Sequence, residues 1–190
     1  MNYKFAKEFN QIKKEFEKSQ KILLVAHSRP DEDTIGSVFV LKEYLEKTLG
    51  KQADAVCLDA FPEYLKAVFE GEEFADLGKI KIGDYDLLVG CDAVGRSFEK
   101  IVKKKNKNQK VILFDHHPII ELKEIKPDIS VTDENYSSVC EIIYDFFDFH
   151  RLAINKKIAS FLLTGILHDT GAFQHANTSA RVMEISADLM

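Results

Sequence analysis

The sequence has few cysteines, no long apolar run and no excess of positive charge. Its three cysteines, Cys57, Cys91 and Cys140, are widely spaced in apolar surroundings. That pattern disfavours a disulfide framework or a zinc site and predicts buried, reduced thiols in a cytoplasmic protein. No apolar run approaches the length of a membrane span, so no membrane contact is expected. The net charge of −5 argues against binding long duplex nucleic acid, which needs a basic surface.

Several sequence signals are also missing. The first residues carry no apolar segment of the kind found in signal peptides, so none is expected. The chain shows no repeats, no low-complexity segment and no linker rich in glycine and serine. No G-x-G-x-x-G motif follows the first apolar strand, which disfavours a dinucleotide-binding oxidoreductase.

The chain has 190 residues, enough for one well-packed domain or one and a half. Hydrophobic residues make up 45% and charged residues 30%, an ordinary balance for a soluble globular protein. Short apolar runs alternate with helical patterns, which predicts an α/β fold with a mainly parallel sheet and helices on both faces. A loop over residues 27–37 and a turn over 168–171 are predicted between these elements. The strands are predicted at residues 21–26, 53–58, 87–91, 111–114 and 129–132, and the helices at 2–19, 38–49, 61–69, 95–105, 137–149 and 155–167.

A last helix, capped within residues 177–179, is predicted to continue as far as Met190. We therefore expect a single domain over residues 1–190. Two interpretations of the ending stay open: a fragment whose second domain is absent, or a small protein with a final helix. A homodimer is compatible with the sequence.

Acidic and imidazole side chains follow the ends of three predicted strands and one helix. The carboxyl ends of parallel strands meet at one edge of a sheet, where ligands bind in this fold class. These groups should therefore crowd together if the strands share a sheet. The groups are His27, Asp31 and Asp33 after the first strand, Asp92 after the third, Asp115, His116 and His117 after the fourth, and Asp169 after a buried helix.

Carboxylates packed so closely repel one another, so they hold either protons or cations. Mixed oxygen and imidazole ligands suit manganese, iron or zinc better than calcium. The groups outnumber the ligands that one metal needs, which indicates two metals sharing a water. Such a pair generates a hydroxide that attacks phosphorus, and it stabilises the charge on the phosphoryl oxygens.

These motifs, in this order, resemble those of the DHH phosphoesterase superfamily. That superfamily includes RecJ-type exonucleases, oligoribonucleases, cyclic-dinucleotide phosphodiesterases and family II inorganic pyrophosphatases. The resemblance covers nearly the whole chain, residues 20–185. The matching residues are His27-x-x-Pro30-Asp31-x-Asp33-x-x-Gly36-Ser37, then Asp92, then Asp115-His116-His117, then Gly165-x-x-x-Asp169-Thr170-Gly171.

The resemblance implies which of these residues bind each metal. His27 and Asp31 would hold one metal. Asp33 and His116 would hold the other, and Asp92 and Asp169 would bridge the two. The ions would be Mn²⁺, the metal typical of the family.

The resemblance also implies roles for the remaining groups. His117 would contact the substrate phosphate or act as general acid, and Asp115 would orient an imidazole from behind. Arg96 and His168 are further candidates for substrate contact, each weighed against a purely structural role. Arg29 is a loop cation with no assigned role.

The chain departs from the family pattern in two respects. The smaller C-terminal substrate domain that the family usually carries is expected to be absent or truncated in this sequence. Glu32 also occupies a position where a small residue is common, and the sequence leaves open whether its carboxylate points to solvent or disturbs the loop.

The function predicted from these observations is hydrolysis of phosphodiester bonds in short oligonucleotides or related nucleotides, by a hydroxide that two metals activate. Two alternatives stay open. One is a regulatory module that binds metal or nucleotide without turnover, and the other is an inorganic pyrophosphatase-like hydrolase.

Overall fold

The computed structural model describes residues 3–93, 96–118 and 126–190, with only the backbone of residues 96 and 97. Its centre is a sheet of five parallel strands. The predicted α/β fold with a parallel sheet is therefore confirmed. The strands are β1 (Lys21–Val25), β2 (Gln52–Val56), β3 (Leu87–Cys91), β4 (Lys110–Asp115) and β5 (Ile129–Thr132), in the order β2-β1-β3-β4-β5.

Both faces of the sheet are buried, as the continuous apolar strands predict. In β1, Ile22 and Leu24 belong to the larger hydrophobic core, while Leu23 and Val25 belong to a smaller core on the opposite face. Because successive side chains of a strand point to opposite faces, this one strand contributes to both cores.

Six helices accompany the sheet within the described residues. The first, second and fourth pack against its larger core, the fifth packs on the second, and the sixth on the fifth. The third helix, together with a 3₁₀ turn at Ile82–Asp84, covers the smaller core. The helices are α1 (Ala6–Lys18), α2 (Glu32–Glu43), α3 (Arg96–Val102), α4 (Val139–Phe149), α5 (Lys156–Asp169) and α6 (Ala180–Leu189).

The predicted loop over residues 27–37 is wrong in its second half, because α2 begins at Glu32. The Asp31 side chain accepts a hydrogen bond from the backbone N–H of Thr34 at 3.0 Å and so caps this helix. Glu32 and Asp33 then occupy the first turn, where negative charge complements the helix dipole. The acidic cluster thus starts a helix instead of extending a loop.

Other boundaries differ from the predictions in ways that affect the site. The turn predicted at residues 168–171 is partly helical, because α5 continues through Asp169. The helix predicted at residues 61–69 is reduced to a 3₁₀ turn at Glu63–Leu65. So short a segment gains little from helix formation, and Phe61 and Phe69 pack together without it.

The strand order places a crevice at the carboxyl end of the sheet. From β1 the chain leads to β2 on one side, whereas β3 lies on the other side of β1. The direction in which strands are added therefore reverses between β1 and β3, although all strands are parallel. Ligands bind at such switch points in open parallel sheets. Within the described residues, no helix is both long and apolar enough to cross a membrane.

Candidate metal centre

The His27 imidazole follows β1 and presents one ring nitrogen to two carboxylates. Its Nδ1 lies 2.7 Å from the carbonyl oxygen of Ser28 and donates a hydrogen bond to it, since a carbonyl can only accept. Its Nε2 lies 3.1 Å from Asp92 Oδ2 and 3.4 Å from Asp31 Oδ2. A metal-binding histidine usually fixes its other nitrogen in this way.

Asp33 is fully buried and ties the first motif to α4. One carboxylate oxygen accepts the backbone N–H of Val139, and the other accepts that of Cys140, both at 2.8 Å. Two charge-assisted bonds at a helix N-terminus therefore fix the orientation of this carboxylate.

Two glycines let α5 approach this carboxylate. A Cβ atom on Gly165 would lie 2.8 Å from Asp33 Oδ1 and 2.4 Å from the Cys140 sulfur. A Cβ atom on Gly36 would lie 2.7 Å from the carbonyl oxygen of Phe161. Side chains at these positions would push α2 and α5 apart and separate the acidic groups they carry.

Asp92 lies at the centre of the cluster, directly after β3. Its backbone φ is +51°, a conformation that Asp and Asn tolerate better than most residues. The Thr34 hydroxyl donates to its Oδ2 at 2.7 Å. Its Oδ1 lies 3.2 Å from His117 Nδ1 and 3.7 Å from His116 Nε2.

The Asp115-His116-His117 tripeptide supplies a supporting carboxylate and two imidazoles. Asp115 is the last residue of β4 and is fully buried. Its Oδ1 accepts hydrogen bonds from the backbone N–H and from Nδ1 of His117, both at 2.9 Å. His116 points elsewhere, with Nε2 at 3.3 Å from Asp169 Oδ2. Asp115 therefore orients His117.

All six predicted metal ligands and His117 come together in the structure. Their nitrogen and oxygen atoms form overlapping groups of three, within which all ligand atoms lie within 4.8 Å of one another. Among the described residues, the groups are His27 with Asp31 and Asp92, Asp33 with His116 and Asp169, and Asp92 with His116 and His117. The first two groups agree with the ligand sets that the resemblance implies for two metals, and the third includes His117.

The remaining candidates lie at the edge of this cluster or outside the described part. His168 Nδ1 contacts Glu32 Oε2 at 2.9 Å, and its Nε2 lies 4.0 Å from Asp31 Oδ2. Glu32 thus pairs with a histidine of α5 instead of extending freely into solvent. The Arg96 side chain lies outside the described residues.

Two residues of the site had no role assigned from the sequence. Thr34 was not singled out, although its hydroxyl holds Asp92; its place directly after Asp33 was the available signal. Arg29 was noted without a role, yet it lines the cleft formed by the cluster. That open cleft has a volume of about 560 Å³ and is also lined by His27, Ser28, Asp31, Asp92, His116, His117 and Asp169.

Two imidazoles of the cluster, those of His27 and His117, have raised pKa values. Burial lowers the pKa of His27, but the carboxylates of Asp31 and Asp92 outweigh it and raise the pKa to about 11. A hydrogen bond to Asp115, with a contribution from Asp92, raises the pKa of His117 to about 10. In the metal-free protein, protons thus take up the negative charge that cations would otherwise neutralise.

The carboxylates divide into two kinds. Burial alone would raise the pKa of Asp92, yet His117 and His27 hold it well below its usual range. Burial and the charge of Asp92 raise the pKa of Asp33, and burial and the charges of Asp33 and Asp92 raise that of Asp169. The cluster therefore holds more negative charge than its own imidazoles can neutralise.

The donor set fits divalent cations. Asp92 Oδ1 and Asp169 Oδ2 are buried and have no hydrogen-bond partner among the described residues. Buried oxygens without a partner are costly unless an ion or water satisfies them. Together with the Nε2 atoms of His27 and His116, they form the mixed oxygen and imidazole set that suits manganese, iron or zinc.

Binding of Mn²⁺ to the metal-free chain at pH 7 should release protons, and the affinity should rise with pH. The reason is that the predicted ligands His27 and Asp169 both have raised pKa values, so the metal must displace protons that they hold. Calorimetry in two buffers of different ionisation enthalpy measures the number released. Equal binding heats in both buffers would contradict this expectation.

Comparison with known proteins identifies the family. Residues 21–166 match the model of the DHH family, N-terminal domain. The chain belongs to the DHH family. This match confirms the resemblance found in the sequence motifs, and it contains every predicted metal ligand except Asp169, which lies three residues beyond its end.

Two relatives of this DHH chain illustrate the names that similar proteins carry. Over 172 residues it is 31% identical to the Thermus thermophilus "Bifunctional oligoribonuclease and PAP phosphatase NrnA", covering 89% of this chain and 49% of that protein. Over 180 residues it is 24% identical to a Streptococcus thermophilus "Probable manganese-dependent inorganic pyrophosphatase", covering 89% of this chain and 54% of that protein. The chain thus spans about half the length of these relatives.

A solved structure supports the fold. An exopolyphosphatase-related protein from Bacteroides fragilis superimposes with a TM-score of 0.80, covering 96% of this chain and 56% of that one. The identity is 24%, so the likeness concerns the fold alone.

Proposed function

We propose that this DHH chain is a metal-dependent phosphoesterase that hydrolyses phosphodiester bonds of short oligonucleotides or related nucleotides. The observation that carries the proposal is the convergence of four carboxylates and two imidazoles, with His117 beside them, and all of these except the buried Asp33 line one open cleft. Clusters of this composition serve phosphoryl transfer when they hold two divalent ions.

The residues divide into metal holders and groups that act on substrate. His27 and Asp31 would hold one Mn²⁺, Asp33 and His116 would hold the other, and Asp92 and Asp169 would serve both. When bound, the two ions lower the pKa of a water and stabilise charge that develops on the phosphoryl oxygens.

The chain's own residues supply orientation and a proton. Asp115 accepts from His117 Nδ1, which fixes the imidazole plane and leaves Nε2 available to donate. His117 is about 41% exposed at its side chain, so a substrate can reach it. It protonates the leaving oxygen, a role that typically contributes about 10²–10⁴-fold to rate.

Substrate size follows from the cleft and the charge. A volume of about 560 Å³ accommodates a nucleotide-sized group, and the net charge of −5 disfavours a long polyanion. The name of the Thermus thermophilus relative supports short oligoribonucleotides and related nucleotides as the substrate class.

The decisive assay uses a 5′-phosphorylated dinucleotide with added Mn²⁺. The unaltered chain should release mononucleotides, and Asp169→Ala should not, because it removes a carboxylate shared by the metal site. Metal binding without turnover on any phosphodiester would instead favour a regulatory module.

Inorganic pyrophosphate hydrolysis is the second candidate. Its support is the relative whose name specifies a manganese-dependent pyrophosphatase. The same assay with pyrophosphate separates the two: release of phosphate from pyrophosphate, with no mononucleotide from the dinucleotide, would replace the first proposal by the second.

A further inference from the structure

Arg29 is an exposed cation on the wall of the acidic cleft. Its neighbours there include the carboxylates of Asp31 and Asp92, which offer it negative charge. Yet within residues 3–93, 96–118 and 126–190 its guanidinium forms no ion pair or hydrogen bond with any of them. A side chain with five hydrogen-bond donors is therefore available in the cleft.

The backbone at Arg29 is held in an unfavourable conformation. Its φ is +56°, in the left-handed region that glycine and asparagine tolerate better than arginine. The carboxylate of Asp59 accepts the Arg29 N–H at 2.8 Å and fixes this conformation from the loop after β2. The Cys57 thiol also donates to the carbonyl of His27 at 3.0 Å, so this loop supports the metal-binding loop twice.

Backbone strain of this kind costs of the order of 1–3 kcal/mol and persists where the surrounding structure enforces it, often at functional sites. Here the strained residue is Arg29, a cation beside a proposed phosphoryl-binding cleft. Asparagine would fit this position with less strain. Stability alone therefore does not account for an arginine at this position.

We propose that the Arg29 guanidinium binds a second phosphate of the substrate, one that is not cleaved, and so selects nucleotides that carry a terminal phosphate in addition to the scissile bond. This inference rests on the proposed phosphodiesterase function and refines its substrate. A guanidinium binds a phosphate through two parallel hydrogen bonds, which gives both affinity and orientation.

The position of Arg29 favours the second phosphate over the scissile one. His27, His116, His117 and the metal site already surround the place where the reacting phosphoryl group would bind. Arg29 is exposed, whereas those three imidazoles are only partly exposed. This greater exposure lets Arg29 meet a group that extends from the reacting centre towards solvent.

The test compares two dinucleotides that differ only in a 5′-phosphate, with the unaltered chain, Arg29→Asn and Arg29→Lys in Mn²⁺. For the phosphorylated substrate, Arg29→Asn should raise KM about 10- to 100-fold, the loss expected for a charged hydrogen bond. Its KM for the unphosphorylated substrate should stay unchanged, and Arg29→Lys should give an intermediate value.

Thermal unfolding and binding of a 5′-mononucleotide provide readouts that do not need turnover. Arg29→Asn should unfold at the same or a higher temperature, because asparagine relieves the strain at φ +56°. It should also bind a 5′-mononucleotide more weakly than the unaltered chain. A purely structural role for Arg29 would instead lower the unfolding temperature.

The outcomes separate this inference from the proposed function. If the unaltered chain cleaves neither dinucleotide, the proposed function fails. If it cleaves both and Arg29→Asn raises KM equally for both, or lowers kcat for both, Arg29 contacts the scissile phosphate and the inference is overturned. Unchanged kinetics in Arg29→Asn would overturn it as well.

Discussion

Replacing Asp92 by Asn should abolish tight Mn²⁺ binding and lower phosphodiester hydrolysis by more than about 100-fold. Loss of a partner that only supports a metal ligand typically costs about 10–100-fold, and a carboxylate shared between two metals should cost more. Asp92 contacts both His27 and His116, so both metal positions should suffer. Calorimetric titration with Mn²⁺ measures the binding, and a dinucleotide assay measures the hydrolysis.

Asparagine is the informative substitution because it keeps the shape of the side chain and tolerates the φ of +51° at this position. The fold should therefore survive, as circular dichroism would show. Asp76→Asn is the matched control, because Asp76 lies on a surface loop and pairs with Lys79. Normal metal binding in Asp92→Asn would refute its central place in the site.

Replacing His117 by Ala should leave Mn²⁺ affinity nearly unchanged and lower kcat by about 10²–10⁴-fold, the range for loss of a general acid. The reason is that Asp115 already engages the Nδ1 of this imidazole, so its role is expected to lie in proton transfer. Metal titration and single-turnover hydrolysis measure the two effects separately.

Loss of Mn²⁺ affinity in His117→Ala would have a structural explanation. His117 Nδ1 lies 3.2 Å from Asp92 Oδ1, and the two form a group of possible metal ligands with His116. Loss of Mn²⁺ affinity in His117→Ala would therefore make His117 a ligand. His150→Ala is a suitable control, because His150 lies at the far end of α4 and contacts the carbonyl of Phe9.

The convergence of the predicted ligands could be foreseen because it depends on a general property of parallel sheets. Asp92 and His116 lie near one another since β3 and β4 are adjacent and end at the same edge. The prediction needed only the apolar runs and the polar residues that follow them. Asp169 required the resemblance as well, because it ends a helix and not a strand.

Other features depend on contacts that a single sequence does not reveal. The pairing of Glu32 with His168 arises from the packing of α2 on α5, between residues far apart in the chain. The start of α2 was missed because Pro30 and its acidic neighbours are as typical of loops as of helix N-termini. The strain at Arg29 is a property of the backbone, which composition does not specify.

The central claim is that this cluster holds two divalent ions, and counting them tests it most directly. The metal-free chain is titrated with Mn²⁺ while the free ion is followed by electron paramagnetic resonance, alongside Asp92→Asn. We expect two ions bound per chain, with a spectrum broadened by their proximity, and loss of this binding in the variant. Binding of no ion, or equal binding by the unaltered chain and Asp92→Asn, would contradict the claim.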